Sequence, residues 1–238
     1  MEQINWAAII IGITGALVLL FRDWRVTFSA LLMNYLFVAL FVTQQAFIEP
    51  DIILGSLSIS TTVLIKLITG ISATAILAIT AIMFSQEYTE DLDEFSLSEL
   101  RRAARSAQRQ SADNPRRLSD YVVPFWSLVL ALLASLLLPR LYPIGETIVI
   151  DFVWYWLGLI GLFTLVTAND LLKIGLGLLL CVSSIDVLYT AIASSVRVFP
   201  VAILSLMTIV LALAIAYLCS LLYGRLKTLE LAELYQQK

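Results

Sequence analysis

DLLKIGLGLLLCVSSIDVLYT, the stretch from Asp170 to Thr190, is the part of the sequence that decides the fold class. It carries charges at Asp170 and Lys173, then twelve uncharged residues, and then Asp186 before the apolar run resumes. About 20 mainly apolar residues in a helix are enough to cross the hydrocarbon core of a bilayer. The stretch therefore predicts a transmembrane helix with a carboxylate at membrane depth.

The composition of the whole chain indicates the same class of protein. Hydrophobic residues make up 60% of the 238 residues and charged residues 14%, and the mean hydropathy is +0.92. Soluble domains are nearer 45–50% apolar and about 25% charged. We therefore predict an all-α polytopic membrane protein whose surplus apolar surface faces lipid and partner subunits.

Several kinds of chemistry are disfavoured by the residues that the sequence lacks. It contains no histidine, the commonest metal ligand and general base. Its two cysteines, Cys181 and Cys219, are far apart and are interpreted as small apolar core residues. We find no nucleotide-binding, hydrolase or haem motif. The chain is therefore expected to be no enzyme on its own, to bind no metal and to need no cofactor.

The hydropathy pattern predicts seven membrane-spanning helices. The N-terminal sequence MEQINWAAII lacks a positive n-region, so the first is expected to be retained rather than cleaved as a signal peptide. The fourth is the shortest. The predicted spans are Asn5–Phe21, Thr27–Ile48, Leu57–Phe84, Val123–Leu138, Ile148–Thr167, Leu171–Ala193 and Phe199–Tyr223.

These spans divide the chain into four parts and set its orientation. Residues 1–84 form a three-helix unit, 85–122 a charged loop, 123–223 a four-helix unit and 224–238 a tail. With seven spans the termini lie on opposite sides. The side of the N-terminus has only Arg140 and Arg197, against twelve basic residues on the other side. The positive-inside rule then predicts an outside N-terminus and a cytoplasmic C-terminus.

The charged loop is predicted to contain one short helix. Ser96 and Glu99 fit a capping box at the start of SLSELRRAARSAQRQ. Arginines at spacings of four residues then share one face of that helix; they are Arg101, Arg105 and Arg109. The helix either lies solvated near anionic headgroups or forms a docking surface for a cytoplasmic partner.

Two ionisable residues fall inside predicted spans, where charges are expensive and usually face the bundle interior or water. Lys66 lies about 13 Å, and Asp186 about 12 Å, from the outer end of its span, at 1.5 Å per residue. We therefore expect Lys66 and Asp186 to approach each other across the bundle, directly or through water, and one interpretation places them in an ion or proton pathway. The alternatives are a structural ion pair or a lysine that snorkels outward.

Three further charged residues are secondary candidates for the pathway. Asp151 lies near the start of its span beside aromatic residues, which an interface position would explain. Asp170 and Lys173 flank the cytoplasmic start of the sixth span, where Asn169 or Asp170 would make a good N-cap. Helix-start chemistry accounts for Asp170 and Lys173 without a functional role.

The last two spans resemble small subunits of the complex I superfamily. TANDLLKIGLGLLLCVSSIDVLYT resembles a helix of the K-type subunit of bacterial complex I, and still more the C subunit of Mrp-type Na⁺/H⁺ antiporters. VFPVAILSLMTIVLALAIAYL resembles the next Mrp helix through Pro200, Ala202, Leu204 and Thr208-Ile209-Val210. The sequence departs from the K-type pattern at Leu179, where that pattern has a glutamate, and has no glutamate between Phe199 and Tyr223.

The rest of the chain is similar to component E of formate-hydrogenlyase-type membrane hydrogenases, apart from residues 85–120. That family fuses further N-terminal helices to a K-type unit, and the resemblance points to Lys66 in TVLIKLITGI and to a polar position near Ser183–Asp186. A proline follows the lysine region in that family; here the nearby helix breaker is Gly70. The C-terminal KTLELAEL also looks similar.

The resemblance implies a subunit of an ion-translocating complex that couples redox chemistry or a Na⁺ gradient to proton movement. Its expected partners are antiporter-like membrane subunits in a hetero-oligomer, with no nucleic acid. The expected location is the bacterial inner membrane, with a thylakoid or another energy-transducing membrane as the alternative. Rival hypotheses are a non-translocating structural subunit and, more weakly, a stand-alone secondary transporter; the absence of detectable internal repeats disfavours the last.

Overall fold

The structure of the protein, a computed structural model, describes residues 5–21, 23–44, 52–54, 57–90, 119–168, 170–192 and 198–226. Within these residues there are seven helices and one antiparallel hairpin, which pairs β1 (Ile52–Leu54) with β2 (Leu57–Ile59). The helices are α1 (Trp6–Leu20), α2 (Trp24–Thr43), α3 (Thr61–Glu90), α4 (Ser119–Leu141), α5 (Ile148–Val166), α6 (Leu171–Ile192) and α7 (Val198–Leu226).

The predicted fold class, a polytopic membrane helix bundle, is confirmed. In the described part of the chain, six helices are long and apolar enough to cross a membrane, and α1 is a shorter apolar helix of 15 residues. In lipid, the backbone N–H and C=O groups of a single spanning segment must be hydrogen-bonded within that segment, and the helix is the structure that achieves this. The orientation of the termini stays a prediction.

Several predicted boundaries are wrong. The second span is Trp24–Thr43 rather than Thr27–Ile48. The third span begins at Thr61 rather than at Leu57, because residues 57–59 pair with the preceding strand. The fourth span is longer than predicted, since α4 continues through Pro139 to Leu141. The predicted loop 85–122 is shorter, because α3 extends to Glu90 and α4 begins at Ser119.

Polar side chains fix where several helices begin. Asn5 accepts a hydrogen bond from the backbone N–H of Ala8 at the start of α1, and Asp23 accepts one from Arg25 at the start of α2. The Thr147 hydroxyl does the same for Ile150 at the start of α5. Such caps pair backbone N–H groups that have no partner within the helix.

The bundle combines packing between helices that follow each other in the chain with packing between helices that are distant in it. The strongest packing is between α5 and α6, and α7 packs mainly on α3. Helix α1 lies between α2 and α5, while α2 contacts α3 and, more weakly, α6. The α2 and α6 helices therefore connect an α1–α4–α5 group to an α3–α7 group.

Small residues allow a close helix crossing between α5 and α6. A Cβ atom on Gly161 would lie 2.9 Å from the Gly177 carbonyl oxygen and 2.6 Å from the Cys181 sulfur. The reciprocal Cβ on Gly177 would lie 2.9 Å from the Gly161 carbonyl oxygen. Association of helices in lipid depends on such close packing, because the hydrophobic effect no longer drives it.

Candidate functional site

Lys66 on α3 and Asp186 on α6 come together inside the bundle. The Lys66 Nζ atom lies 4.0 Å from Asp186 Oδ2, and the two side chains are only 4% and 13% exposed. The approach predicted from the sequence is therefore present in the structure. The pair bridges two helices that otherwise make few contacts.

The pair is only partly satisfied by the protein. Among the described residues, neither Lys66 Nζ nor Asp186 Oδ1 has a hydrogen-bond partner. Buried charges are normally paired and also hydrogen-bonded. A separation of 4.0 Å is the outer limit for an ion pair, so the ammonium and carboxylate groups retain bonding capacity for water or a transferred proton.

Two serine hydroxyls extend this polar region. Ser183 lies one turn before Asp186 on α6, and Ser205 lies on α7, which packs against both α3 and α6. Both side chains are buried, and neither Oγ atom has a partner within the described residues. At 1.5 Å per residue, Lys66, Asp186 and Ser205 lie about 8, 9 and 10 Å from the ends of their helices on the same side of the bundle.

Tyr35 on α2 is a member of this region that the sequence analysis missed. Its hydroxyl donates a hydrogen bond to the Leu179 carbonyl of α6 at 3.4 Å. Gly70, one turn after Lys66, leaves room for the ring, since a Cβ atom there would lie 2.5 Å from the Tyr35 Cβ. Gly70 was expected to be a helix breaker, and this is wrong: α3 continues through it.

Asn34 forms a second buried polar contact that the sequence analysis missed. Its Nδ2 atom donates to the Thr14 hydroxyl at 2.9 Å and to the Ile11 carbonyl at 3.3 Å, which joins α2 to α1. Its Oδ1 atom has no partner within the described residues. A signal was available, because Asn34 and Tyr35 are adjacent polar residues near the middle of a predicted span.

Asp151 has a structural role and does not belong to the polar region around Lys66 and Asp186. It is 1% exposed, although an interface position had been expected. Its carboxylate accepts hydrogen bonds from the backbone N–H groups of Ile144 and Gly145 and from the Trp154 indole, at 3.1, 2.8 and 3.0 Å. The connection between α4 and α5 folds over the carboxylate, and these three donors explain the buried charge.

Asp170 and Lys173 lie at the start of α6, as predicted. Asp170 Oδ1 accepts a hydrogen bond from the backbone N–H of Lys173 at 2.6 Å, so Asp170 is the N-cap. The Lys173 side chain is buried and its Nζ donates to the Leu19 carbonyl at 3.0 Å. A cation thus pairs with an end carbonyl of α1, where the helix dipole favours positive charge.

An apolar layer separates Lys173 from the Lys66–Asp186 pair. Between Lys173 and Ser183 on α6, the buried side chains are Leu176, Leu179 and Leu180. The structure therefore does not join the two charged regions through side chains of α6. Predicted docking residues Arg101, Arg105 and Arg109 lie outside the described residues.

Metal ligands do not cluster in the described part of the chain, where no group of three or more carboxylates or cysteines could hold a metal ion. Cys181 and Cys219 are free thiols in α6 and α7, and Cys219 is fully buried. The interpretation of Cys219 as an apolar core residue agrees with this burial.

The fold and the site define a class: a multi-pass membrane protein with a buried acid–base pair inside its helix bundle. Comparison with models of known protein families, with curated proteins and with solved structures gives no match. The resemblance to complex-I-superfamily subunits therefore stays a prediction from the motifs quoted above.

Proposed function

We propose that this protein is a membrane subunit of an ion-translocating complex of the complex I superfamily, and that Lys66 and Asp186 belong to its ion pathway. The observation that carries the proposal is the buried pair, 4.0 Å apart, with unpaired polar atoms on both members among the described residues. Ionisable residues at membrane depth are rare and usually mark substrate, ion or proton paths.

The pair can respond to an arriving proton because each charge stabilises the other. Protonation of the Asp186 carboxylate removes its attraction for the Lys66 ammonium, and loss of a proton from Lys66 leaves the carboxylate unpaired. The electrostatic change is large in a site screened little by solvent. Ser183 and Ser205 supply hydroxyls, which both donate and accept hydrogen bonds, for water that would carry the proton.

The leucine layer on α6 supplies the barrier that such a pathway needs. Leu176, Leu179 and Leu180 are buried between the pair and Lys173. Hydrophobic constrictions of this kind stop conduction by excluding water. In the proposed subunit, movement of a neighbouring subunit would hydrate this layer and connect the pair to the opposite side.

A structural role is the second candidate, and one observation favours it. Helices α3 and α6 make few backbone contacts, so the ion pair is a principal link between them. In that case the pair fixes helix position within a complex whose other subunits move the ions. A stand-alone transporter, the third hypothesis, requires ion movement by the isolated chain.

The experiment that tests the proposal is gentle detergent extraction of the tagged chain from its native membrane, followed by mass spectrometry of the proteins that accompany it. Antiporter-like subunits are expected, and hydrogenase, dehydrogenase or Mrp-type partners would name the reaction. A monodisperse chain without partners would contradict the proposal and favour the stand-alone transporter.

A further inference from the structure

An apolar groove of about 500 Å³ lies between α1, α4 and α5, apart from the ion pair. Its walls include Ile13 of α1, Leu132 and Leu136 of α4, and Phe152 and Trp156 of α5. Phe152 and Trp156 stack on each other, with ring centroids 6.1 Å apart. The volume is in the usual range for sites that bind small molecules, about 300–1,000 Å³.

The groove owes part of its depth to Gly12 of α1. Gly12 lines it, and apart from its two chain neighbours and the nearby backbone of α1 no described atom lies within 4 Å of the place that a Cβ atom would take. A side chain added there would enter the groove without a clash. A larger residue at position 12 would therefore occupy space in the groove with little effect on how the helices pack.

The dimensions match one leaflet of a bilayer. On α1 the lining runs from Asn5 to Ala16, which is about 16 Å along the helix axis. This is about half of a hydrocarbon core of roughly 30 Å. Ile13, Leu132 and Leu136 are also exposed at the side of the bundle, so the groove opens toward lipid.

Two exposed charged residues follow or precede groove-lining residues closely in the chain, and their charges complement a phospholipid headgroup. Arg140 is exposed, and it follows Leu136 by one turn on the same face of α4. Glu146, also exposed, lies in the connection from α4 to α5, three residues before the lining residue Val149. A cation for the phosphate and an acid for an ammonium group fit a zwitterionic headgroup better than a net anionic one.

We propose that the groove between α1, α4 and α5 binds one acyl chain of a zwitterionic, amine-bearing phospholipid from the leaflet in which α1 begins. The chain lies along Gly12 toward Ala16, and the phosphate lies beside Arg140. This lipid site is independent of the ion pathway proposed above, because it contains neither Lys66 nor Asp186 and lies on another group of helices.

Native mass spectrometry of the purified, delipidated full chain, titrated with palmitoyl-oleoyl phosphatidylethanolamine, tests the proposal. Wild type is expected to retain one lipid. Each buried methylene contributes about fourfold to the affinity, so Gly12→Leu, which excludes at least two, should weaken binding about fifteenfold. Gly12→Ala should bind nearly as wild type does. Arg140→Gln should bind more weakly and should lose the preference for phosphatidylethanolamine over the diacylglycerol with the same chains.

Ala214→Leu is the matched control, because Ala214 is exposed on α7, away from the groove. It adds similar bulk and should leave lipid binding unchanged, and the thermal midpoint of each lipid-free variant checks its folding. Leu132→Trp fills the groove from the opposite wall and should repeat the loss. Equal binding by wild type, Gly12→Leu and Leu132→Trp would overturn the proposal, as would an equal loss in Ala214→Leu.

Discussion

Replacement of Lys66 by methionine is the most informative perturbation of the buried pair. Methionine keeps most of the volume and the unbranched shape of lysine but removes the charge, so Asp186 loses its ionic partner. Removal of one member of a buried pair typically destabilises a protein by about 3–5 kcal/mol. Asp186 is 13% exposed and can take up a proton, which lowers the expected loss to about 2 kcal/mol.

The double variant separates the pair from its two members. Lys66→Met with Asp186→Leu replaces the pair by apolar side chains, which is often neutral or stabilising. We expect its free energy of unfolding to lie within about 1 kcal/mol of wild type. If Asp186→Leu alone also lowers the free energy of unfolding by about 2 kcal/mol, the double-mutant cycle gives an interaction energy of about 3–5 kcal/mol.

The assay is equilibrium unfolding in mixed micelles, followed by circular dichroism or tryptophan fluorescence. Leu67→Met is the matched control, since Leu67 is adjacent in sequence and partly exposed to lipid; it should change stability by less than about 0.5 kcal/mol. Additive effects in the cycle, with each single variant close to wild type, would refute the reasoning, because the two charges would then not interact.

Three other substitutions test the packing and the polar contacts of the bundle by the same unfolding assay. Gly161→Leu should lower the free energy of unfolding by about 3 kcal/mol, because its Cβ would lie 2.6 Å from the Cys181 sulfur. Gly12→Ala, where there is free space, should lower it by less than about 0.5 kcal/mol. Equal losses in the two variants would contradict the close crossing of α5 and α6. Asp151→Leu should lower the free energy of unfolding by about 3 kcal/mol, because three N–H donors lose their acceptor. Protease cleavage between α4 and α5 should also increase. Unchanged cleavage would contradict the role of the buried carboxylate in holding this connection in place. Lys173→Met should lower the free energy of unfolding by about 1–2 kcal/mol, because the Leu19 carbonyl loses a donor. Lys173→Arg should recover part of this lost stability. Unchanged stability in Lys173→Met would contradict the interpretation that Lys173 caps the end of α1.

The approach of Lys66 and Asp186 could be predicted from the sequence because helices have a fixed rise per residue. Lys66 and Asp186 lie on spans whose ends carry recognisable polar residues, so counting along each helix put the two charges at one level. Their distance from the ends was overestimated for Lys66, because residues 57–59 are a strand. A short apolar run reads equally well as strand or helix.

The positions of the other polar residues depend on contacts that are distant in sequence. Asp151 is buried because the connection before α5 folds back over it, and nothing in the local sequence specifies that fold. Lys173 reaches the end of α1, 154 positions away in sequence. Such contacts follow from how the helices pack, which hydropathy does not encode.

Tyr35 and Gly70 show a different limit of the sequence analysis. Hydropathy averaged over a span hides single polar groups, and a glycine in a helix has no unique interpretation. Its role is visible only once α2 and α3 are placed together, where the Tyr35 ring occupies the space above Gly70. The adjacent pair Asn34-Tyr35 was the available signal for a polar contact in that span.

The central claim is that the buried pair takes part in ion movement, and ion flux tests it most directly. Membrane vesicles from the native organism would carry wild type or the Lys66→Met, Asp186→Leu double variant, with equal amounts of assembled complex verified by native gel. We predict that the double variant assembles but loses the pH gradient or cation uptake that wild type supports. Wild-type flux in the double variant would contradict the claim and assign the pair to structure alone.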